Sequence, residues 1–253
     1  MGKKAGGAGA SSPRKGTGGR TRATGNEGTP PPVARPKRGR EGKAAKRQRA
    51  AEITRRLRAE YPDAETALDH ESPYQLLVAT ILSAQCTDER VNMVTPALFA
   101  RFPDAESLSG GRPEEVEELI RSTGFFRSKT KSLLGMSAAL VERHGGEVPR
   151  TMDELTELPG VGRKTANVVL GNAFDIAAGV VVDTHVSRLS QRLAFTAETT
   201  PEAIERDLAE LFPKEEWVEL PHLLILHGRA VCKARKPLCE RCVVNDLCPS
   251  SRV

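Results

Sequence analysis

Four cysteines crowd the C-terminal end of this 253-residue chain: Cys232, Cys239, Cys242 and Cys248, spaced C-x6-C-x2-C-x5-C. Disulfides need an oxidising compartment, and the apolar core of about 7–15 residues that an export signal requires is not seen here. Zinc is usually held by two separated Cys-x-x-Cys knuckles, whereas here a single Cys-x-x-Cys is flanked by one cysteine on each side. The spacing therefore favours a cuboidal iron–sulfur cluster, and Cys248-Pro249 matches the Cys-Pro that often closes such runs. Lys233, Arg235, Lys236 and Arg241 would offset the charge of four thiolates, and the first three form a basic loop that could equally face a phosphate backbone. The fifth cysteine, Cys86, stands alone and reads as a small core residue.

A second chemical feature is the run Leu158-Pro159-Gly160-Val161-Gly162-Arg163-Lys164-Thr165-Ala166-Asn167. Pro159 ends one helix, the glycines permit a tight turn, Val161 plugs the turn into a core, and a new helix starts near Arg163. A glycine-rich turn that opens a helix offers free backbone N–H groups and a positive dipole end, which suit a phosphate. A plain helix–helix turn would account for the glycines but not for Lys164. A cation in the first turn opposes the macrodipole. The same field, the neighbouring Arg163 and partial burial would favour the neutral amine. A neutral lysine can form a Schiff base with a sugar aldehyde carbon; an exposed phosphate-binding lysine is the plainer reading. Nineteen residues on, Val180-Val181-Val182-Asp183-Thr184-His185 places an acid just before another helix. Asp183 is expected to cap that helix. In a cleft it could also move protons or stabilise a cationic sugar.

The elements that must position these groups read as helix after helix. Ser72-Pro73-Tyr74-Gln75 combines an N-cap, a first-turn Pro and a Gln that closes a capping box, and Thr151 with Glu154 forms another. Further helices are expected over 88–101, 113–122, 128–144, 151–157, 163–174, 184–193, 201–212 and 217–231, with Gly145-Gly146 as a stop and Thr200-Pro201 as a start. Only 176–182 looks strand-like, and with no partner it is expected to be a buried extended connector. Apolar residues make up 38% and aromatics 4%, enough for a core but unlike a sandwich or barrel, and no apolar run approaches the ~20 residues of a membrane span. Charge is divided unevenly. Residues 1–50 hold 14 Lys/Arg and 2 acids, a net +12, against 24 and 31 in the remainder, a net −7. With 11 Gly and 5 Pro and no Leu, Ile or aromatic in those 50 residues, a disordered basic tail is expected over 1–42. It would act as a solubilising extension or as a loose, salt-sensitive attraction to phosphate backbones; a transit peptide would need an apolar face.

Taken together, these pieces resemble the endonuclease III family of helix-hairpin-helix base-excision DNA glycosylases, over roughly residues 50–250. The resemblance is carried by Leu82-Ser83-Ala84-Gln85-Cys86-Thr87-Asp88, the 158–167 hairpin, Val182-Asp183-Thr184-His185, Leu226-His227-Gly228-Arg229 and the cysteine spacing. It implies an all-α fold of two lobes: a six-helix barrel over 66–177 containing the hairpin, and a cluster lobe joining 43–65 to 178–253, with a [4Fe–4S] cluster on Cys232, Cys239, Cys242 and Cys248. The implied enzyme is bifunctional, a glycosylase and abasic-site lyase that removes oxidised pyrimidines from duplex DNA. Lys164 matches the nucleophile that attacks the sugar C1′ before β-elimination, and Asp183 matches the essential carboxylate. Gln85 and Phe125 fall where the family wedges side chains into the duplex, although Phe126 is as good a candidate by sequence. Gly160, Gly162, Arg163, Thr165, His185, Lys233, Arg235 and Lys236 are expected to contact DNA. The spacing from hairpin to acid runs one residue longer than the family pattern, with the extra residue around Ala177-Ala178-Gly179. The expected setting is a monomer in the bacterial cytoplasm near the nucleoid, without membrane contact. An adenine-removing mismatch sibling would lack Lys164, and a non-catalytic DNA-binding module would give Lys164 and Asp183 no role.

Overall fold

Side-chain caps open six of the eleven α-helices among the described residues, and four of those caps, Ser72, Thr151, Asp183 and Thr200, are the ones expected. In this computed structural model residues 41–253 are described, so the expected basic tail lies, up to residue 40, outside the described residues. Helix α1 (Lys43–Glu60) follows Gly42, and Glu41, two residues before the helix, pairs with Arg49 at 2.8 Å. Ser72 caps α2 (Pro73–Leu82) by accepting from the Gln75 N–H. The Gln75 side chain departs from the expected box, because it accepts from the Glu71 N–H at 2.8 Å. Thr87 caps α3 (Asp88–Arg101), and α4 (Ala105–Ser109), too short to announce itself by periodicity, starts from a reciprocal Asp104–Ser107 box. Next come α5 (Pro113–Ile120), a 3-10 turn (Arg121–Thr123), and α6 (Phe126–His144), which stops where Gly145 turns left-handed.

Helix α7 (Met152–Thr156) and α8 (Arg163–Phe174) flank the hairpin. Then α9 (Thr184–Arg192), α10 (Pro201–Leu211), a 3-10 turn (Lys214–Glu216) and α11 (Glu219–Ala230) lead into the cysteine-rich C-terminus. The described residues contain no strand, and 176–182 connects α8 to α9. A tight turn, Ala178 N–H to Ile176 C=O at 2.9 Å, takes up chain within this connector.

Two apolar cores organise these helices. The first gathers residues 68–170, among them Leu76, Leu77, Leu98, Leu133, Met136 and Leu170. The second joins α1 to the C-terminal helices through Ile53, Leu57, Val186, Leu189, Phe195 and Leu224. Arg49, only 9% exposed, fixes α1 on the second core by donating to the Leu193 carbonyl at 2.7 Å. Burial in both cores is nearly complete for the large side chains, which is why α1 stays with the C-terminal helices despite its distance in sequence.

The hairpin is locked to the first core from two sides. Leu158 and Val161 are 2% and 6% exposed. Gly160 has φ +79, and a Cβ there would lie 2.5 Å from the Ser132 Cβ on α6. Only glycine meets both demands: the left-handed backbone costs an L-residue about 1–2 kcal/mol, and the helix leaves no room for a methyl. Gly160→Ala should therefore lower unfolding free energy by about 2–4 kcal/mol in urea titration. Adding Ser132→Gly should recover the steric share but leave about 1–2 kcal/mol of backbone cost. Full recovery would contradict the left-handed requirement.

Candidate active site and cluster-binding loop

Helix α8 begins at Gly162 with no capping side chain and no acid in its first turn. Its first amides, on Arg163, Lys164 and Thr165, are therefore turned to solvent at the positive end of a 12-residue helix. Lys164 is exposed, so the partial burial expected for it is not found: it stands at the lip of the cleft rather than within a core. Arg163 does not simply add a second cation beside it. Its guanidinium reaches Glu205 on α10 at 3.0 Å, and that pair raises its already high pKa. Glu205 also accepts from Asn167, and both side chains close over Gly179 of the connector, where a Cβ would meet Glu205 Oε1.

Asp183 caps α9 as expected, accepting from the Val186 N–H through Oδ1 at 2.7 Å. That bond fixes the direction of the carboxylate. Lys164 and Asp183 line the same cleft of about 280 Å³, together with Thr165, Gln85, Asp88, Asn172, His222 and Arg229. The two walls come from the two cores, and Arg229 on α11 bridges them by pairing with Asp88 on α3 at 2.7 Å. The connector over 175–183 brings the lysine and the acid to one cavity. Deeper in, His222 donates through Nε2 to Asn172 Oδ1 at 2.8 Å, and burial pushes its pKa below the ordinary value. His185 is half-buried, and burial also lowers its pKa; its Nδ1 accepts from Arg188 at 3.1 Å.

The two expected wedges share an unusual backbone. Gln85 has φ +53 and Phe125 φ +49, two of four non-glycine residues with positive φ among those described. Both are exposed, Phe125 by 66%. Phe126 instead packs against the first core, with the Arg121 and Arg127 guanidinium groups 5.7 Å from its ring. The ambiguity in sequence between the two phenylalanines is thus one of exposure, and Phe125 is the exposed one. Cys86 packs partly buried on the same core.

Cys232, Cys239, Cys242 and Cys248 line one cavity of about 270 Å³ against Leu189, Leu193 and Val244. None of the four is in a disulfide. Burial pushes Cys242 up to about 11, and burial raises Cys248 too, so four thiolates here need positive charge at their centre. Two N–H donors address the sulfurs: Arg192 reaches Cys232 Sγ and the buried His227 reaches Cys242 Sγ, each at 3.3 Å. Burial lowers the His227 pKa to about 4, so the ring is neutral, and the Tyr61 hydroxyl at 3.0 Å from Nδ1 leaves Nε2 as the donor. An all-sulfur donor set with N–H groups aimed at it fits an iron–sulfur cluster. Lys233, Arg235 and Lys236 are exposed on the loop between the first two thiols.

Sequence reasoning missed the groups that hold that loop. Arg192 donates to the Lys233 and Ala234 carbonyls at 2.9 and 2.7 Å, and Arg188 reaches the Cys232 carbonyl at 3.3 Å. Their spacing of four residues on α9, one turn beyond His185, places all three on one face. That spacing was visible, but nothing in the sequence named the carbonyls they serve.

Residues 78–214 match the model of the HhH-GPD superfamily base excision DNA repair proteins, and residues 232–248 match the iron-sulfur binding domain of endonuclease III. Endonuclease III of Synechocystis sp. is 60% identical over 209 residues, covering 83% of this chain and 95% of that one. The Escherichia coli K12 enzyme is 43% identical over 199 residues, 78% of this chain and 93% of its own. Among solved structures, a trapped endonuclease III–DNA covalent intermediate (an estranged-adenine complex) superposes with a TM-score of 0.77 at 41% identity, covering 81% of this chain and 97% of that one. A non-covalent endonuclease III–DNA complex gives 0.77 at 42%, covering 81% of this chain and 96% of that one. This chain belongs to the endonuclease III family of DNA glycosylases and abasic-site lyases, enzymes of base excision repair that carry a [4Fe–4S] cluster.

Proposed function

We propose that Lys164 is the nucleophile and Asp183 its carboxylate partner in the excision of oxidised pyrimidines from duplex DNA, followed by β-elimination at the abasic site. The observation that carries this reading is that both side chains, at the N-termini of two different helices, line one cleft. The Lys164 amine, having passed one proton to Asp183, adds to the sugar C1′ as the C1′–N bond to the base breaks, and the base leaves with a second of the amine's protons; Asp183 then returns its proton to O4′ as the C1′–O4′ bond opens. The resulting iminium acidifies the C2′ hydrogens; loss of one of them expels the 3′ phosphate oxygen and nicks the strand. Asp183 accepts the amine's proton and stabilises the cationic sugar, its Oδ1 being held by the α9 amide so that the other oxygen can turn to the cleft. The covalent DNA intermediate of a 41% identical relative supports a covalent route.

DNA is held, in this reading, at its backbone and opened from within. The exposed amides after Gly160 and Gly162, with Arg163 and Thr165, cradle one phosphate, while Lys233, Arg235 and Lys236 take another beside the cluster. His185 borders Asp183 and orients the strand near the sugar. Gln85 and Phe125 fill the gap left by the extruded nucleotide, an extrusion that costs a few kcal/mol and least at a damaged pair. The two cores act as two lobes, 66–177 against 43–65 with 178–253, and Cys232, Cys239, Cys242 and Cys248 ligate the cluster that stiffens the second. One chain supplies every wall of the cleft, which supports a monomer; the DNA substrate and bacterial relatives support action in the cytoplasm at the nucleoid.

Lys164→Gln should lower nicking of abasic DNA by about a thousandfold or more while the binding constant moves only a few-fold. Asp183→Asn should slow it by about 10²–10⁴-fold. Nicking by Lys164→Gln at the wild-type rate would overturn the assignment. Phe125→Ala should leave thermal stability unchanged and reduce excision from paired duplex more than nicking at a preformed abasic site. Phe126→Ala should do the reverse, costing about 2–4 kcal/mol of stability. A stability loss in the Phe125 variant of the same size would contradict its role as an exposed wedge.

A further inference from the structure

Lys129 is the fourth residue of α6 and is 5% exposed, a cation buried near the positive end of its own helix. It has no carboxylate partner among the described residues, and burial pushes its pKa down. Its two hydrogen bonds go to backbone carbonyls: Leu82 at 2.8 Å and Thr123 at 2.9 Å. A methionine would fill this site at far lower desolvation cost, so the amine is there for the bonds. Leu82 closes α2, where the last carbonyls have no partner within the helix. Thr123 ends the 3-10 turn that precedes α6. Three residues beyond the first carbonyl stands Gln85, and two beyond the second stands Phe125, both left-handed and exposed. Left-handed backbone at non-glycine residues persists where the surrounding structure over-determines it.

We propose that Lys129 is a positioning residue that ties the Gln85 loop and the Phe125 loop to a single point, so that the two wedges enter the duplex as one preset unit. This rests on the reading of Gln85 and Phe125 as wedges. The buried ammonium spans the carbonyl end of α2 and the 3-10 turn, which lead into loops 40 residues apart in sequence whose backbones make no hydrogen bond to each other among the described residues. Without it each left-handed turn can relax on its own, and the energy of extrusion is no longer shared between two prepared side chains.

Hydrogen–deuterium exchange on the full chain with its cluster, in Lys129→Met and in the donor-retaining Lys129→Gln, tests the tie directly. In Lys129→Met, segments 83–87 and 121–126 should both exchange about tenfold faster or more, with the cores unchanged, and Lys129→Gln should fall between this and wild type. Loosening of one segment alone, of neither, or of the whole chain uniformly overturns the proposal. A second measurement uses a duplex with a tetrahydrofuran abasic analogue opposite 2-aminopurine, whose fluorescence rises when the gap is opened. Lys129→Met should lose as much of that rise as the Gln85→Ala/Phe125→Ala double variant, and adding it to the double variant should change nothing further. A wild-type rise in Lys129→Met, while the double variant loses it, overturns the positioning role and leaves the wedges standing. A wild-type rise in the double variant removes the wedge reading, and the exchange data then decide the tie between the loops by themselves.

Discussion

A helix leaves its first amides without partners and its N-terminus positive, and the candidate active cleft is built where two such ends meet. One of them, at α8, has been left uncapped and given a lysine, against the electrostatic preference of the helix. The other, at α9, is capped by the acid that faces the same cavity. The first choice forgoes the stability of an ordinary cap and the second collects it, and together they place an amine and a carboxylate on one cleft. The remaining architecture serves that relation. Gly160 presses the hairpin onto α6, Glu205 and Asn167 close over Gly179 to hold the connector, and Arg229–Asp88 keeps the two walls of the cleft together.

Behind the cleft, the second core joins α1 to the last helices and ends in the thiol cavity. The neutral His227, set by Tyr61 from α1, gives its N–H to Cys242, while Arg192 from α9 joins Cys232 to the carbonyls of the basic loop. The helix that begins with the proposed catalytic acid thus also holds the loop that exposes Lys233, Arg235 and Lys236. Thiols, loop and acid are thus joined through α9 rather than set on separate modules.

Local chemistry was legible in the sequence, and long-range chemistry was not. Ser72, Thr151, Asp183 and Thr200 cap helices because a cap is decided within three residues. The hairpin, the cysteine set and the proposed catalytic pair were read for the same reason. The five-residue α4 escaped, being shorter than a usable period, and Gln75 chose the Glu71 amide over that of the cap. Lys164 was expected to be partly buried and is exposed, because the turn that carries it projects from the core that Val161 anchors. Arg163 was read as a bare neighbouring cation, yet a glutamate 42 residues away pairs with it. The partners of Arg188, Arg192 and His227 lie far along the chain, and no local pattern names them. Lys129 is different: like Lys164 it is a cation near the start of its helix, a local feature that is legible in the sequence.

The central claim is that one particular amine bonds to deoxyribose. Borohydride reduction during reaction with abasic duplex DNA, followed by proteolysis and mass mapping of the peptide that retains the sugar remnant, tests it most directly. The account predicts a single modified site, Lys164, even though Lys233 and Lys236 are exposed beside the proposed DNA path. A remnant on any other amine, with Lys164 unmodified, would contradict it.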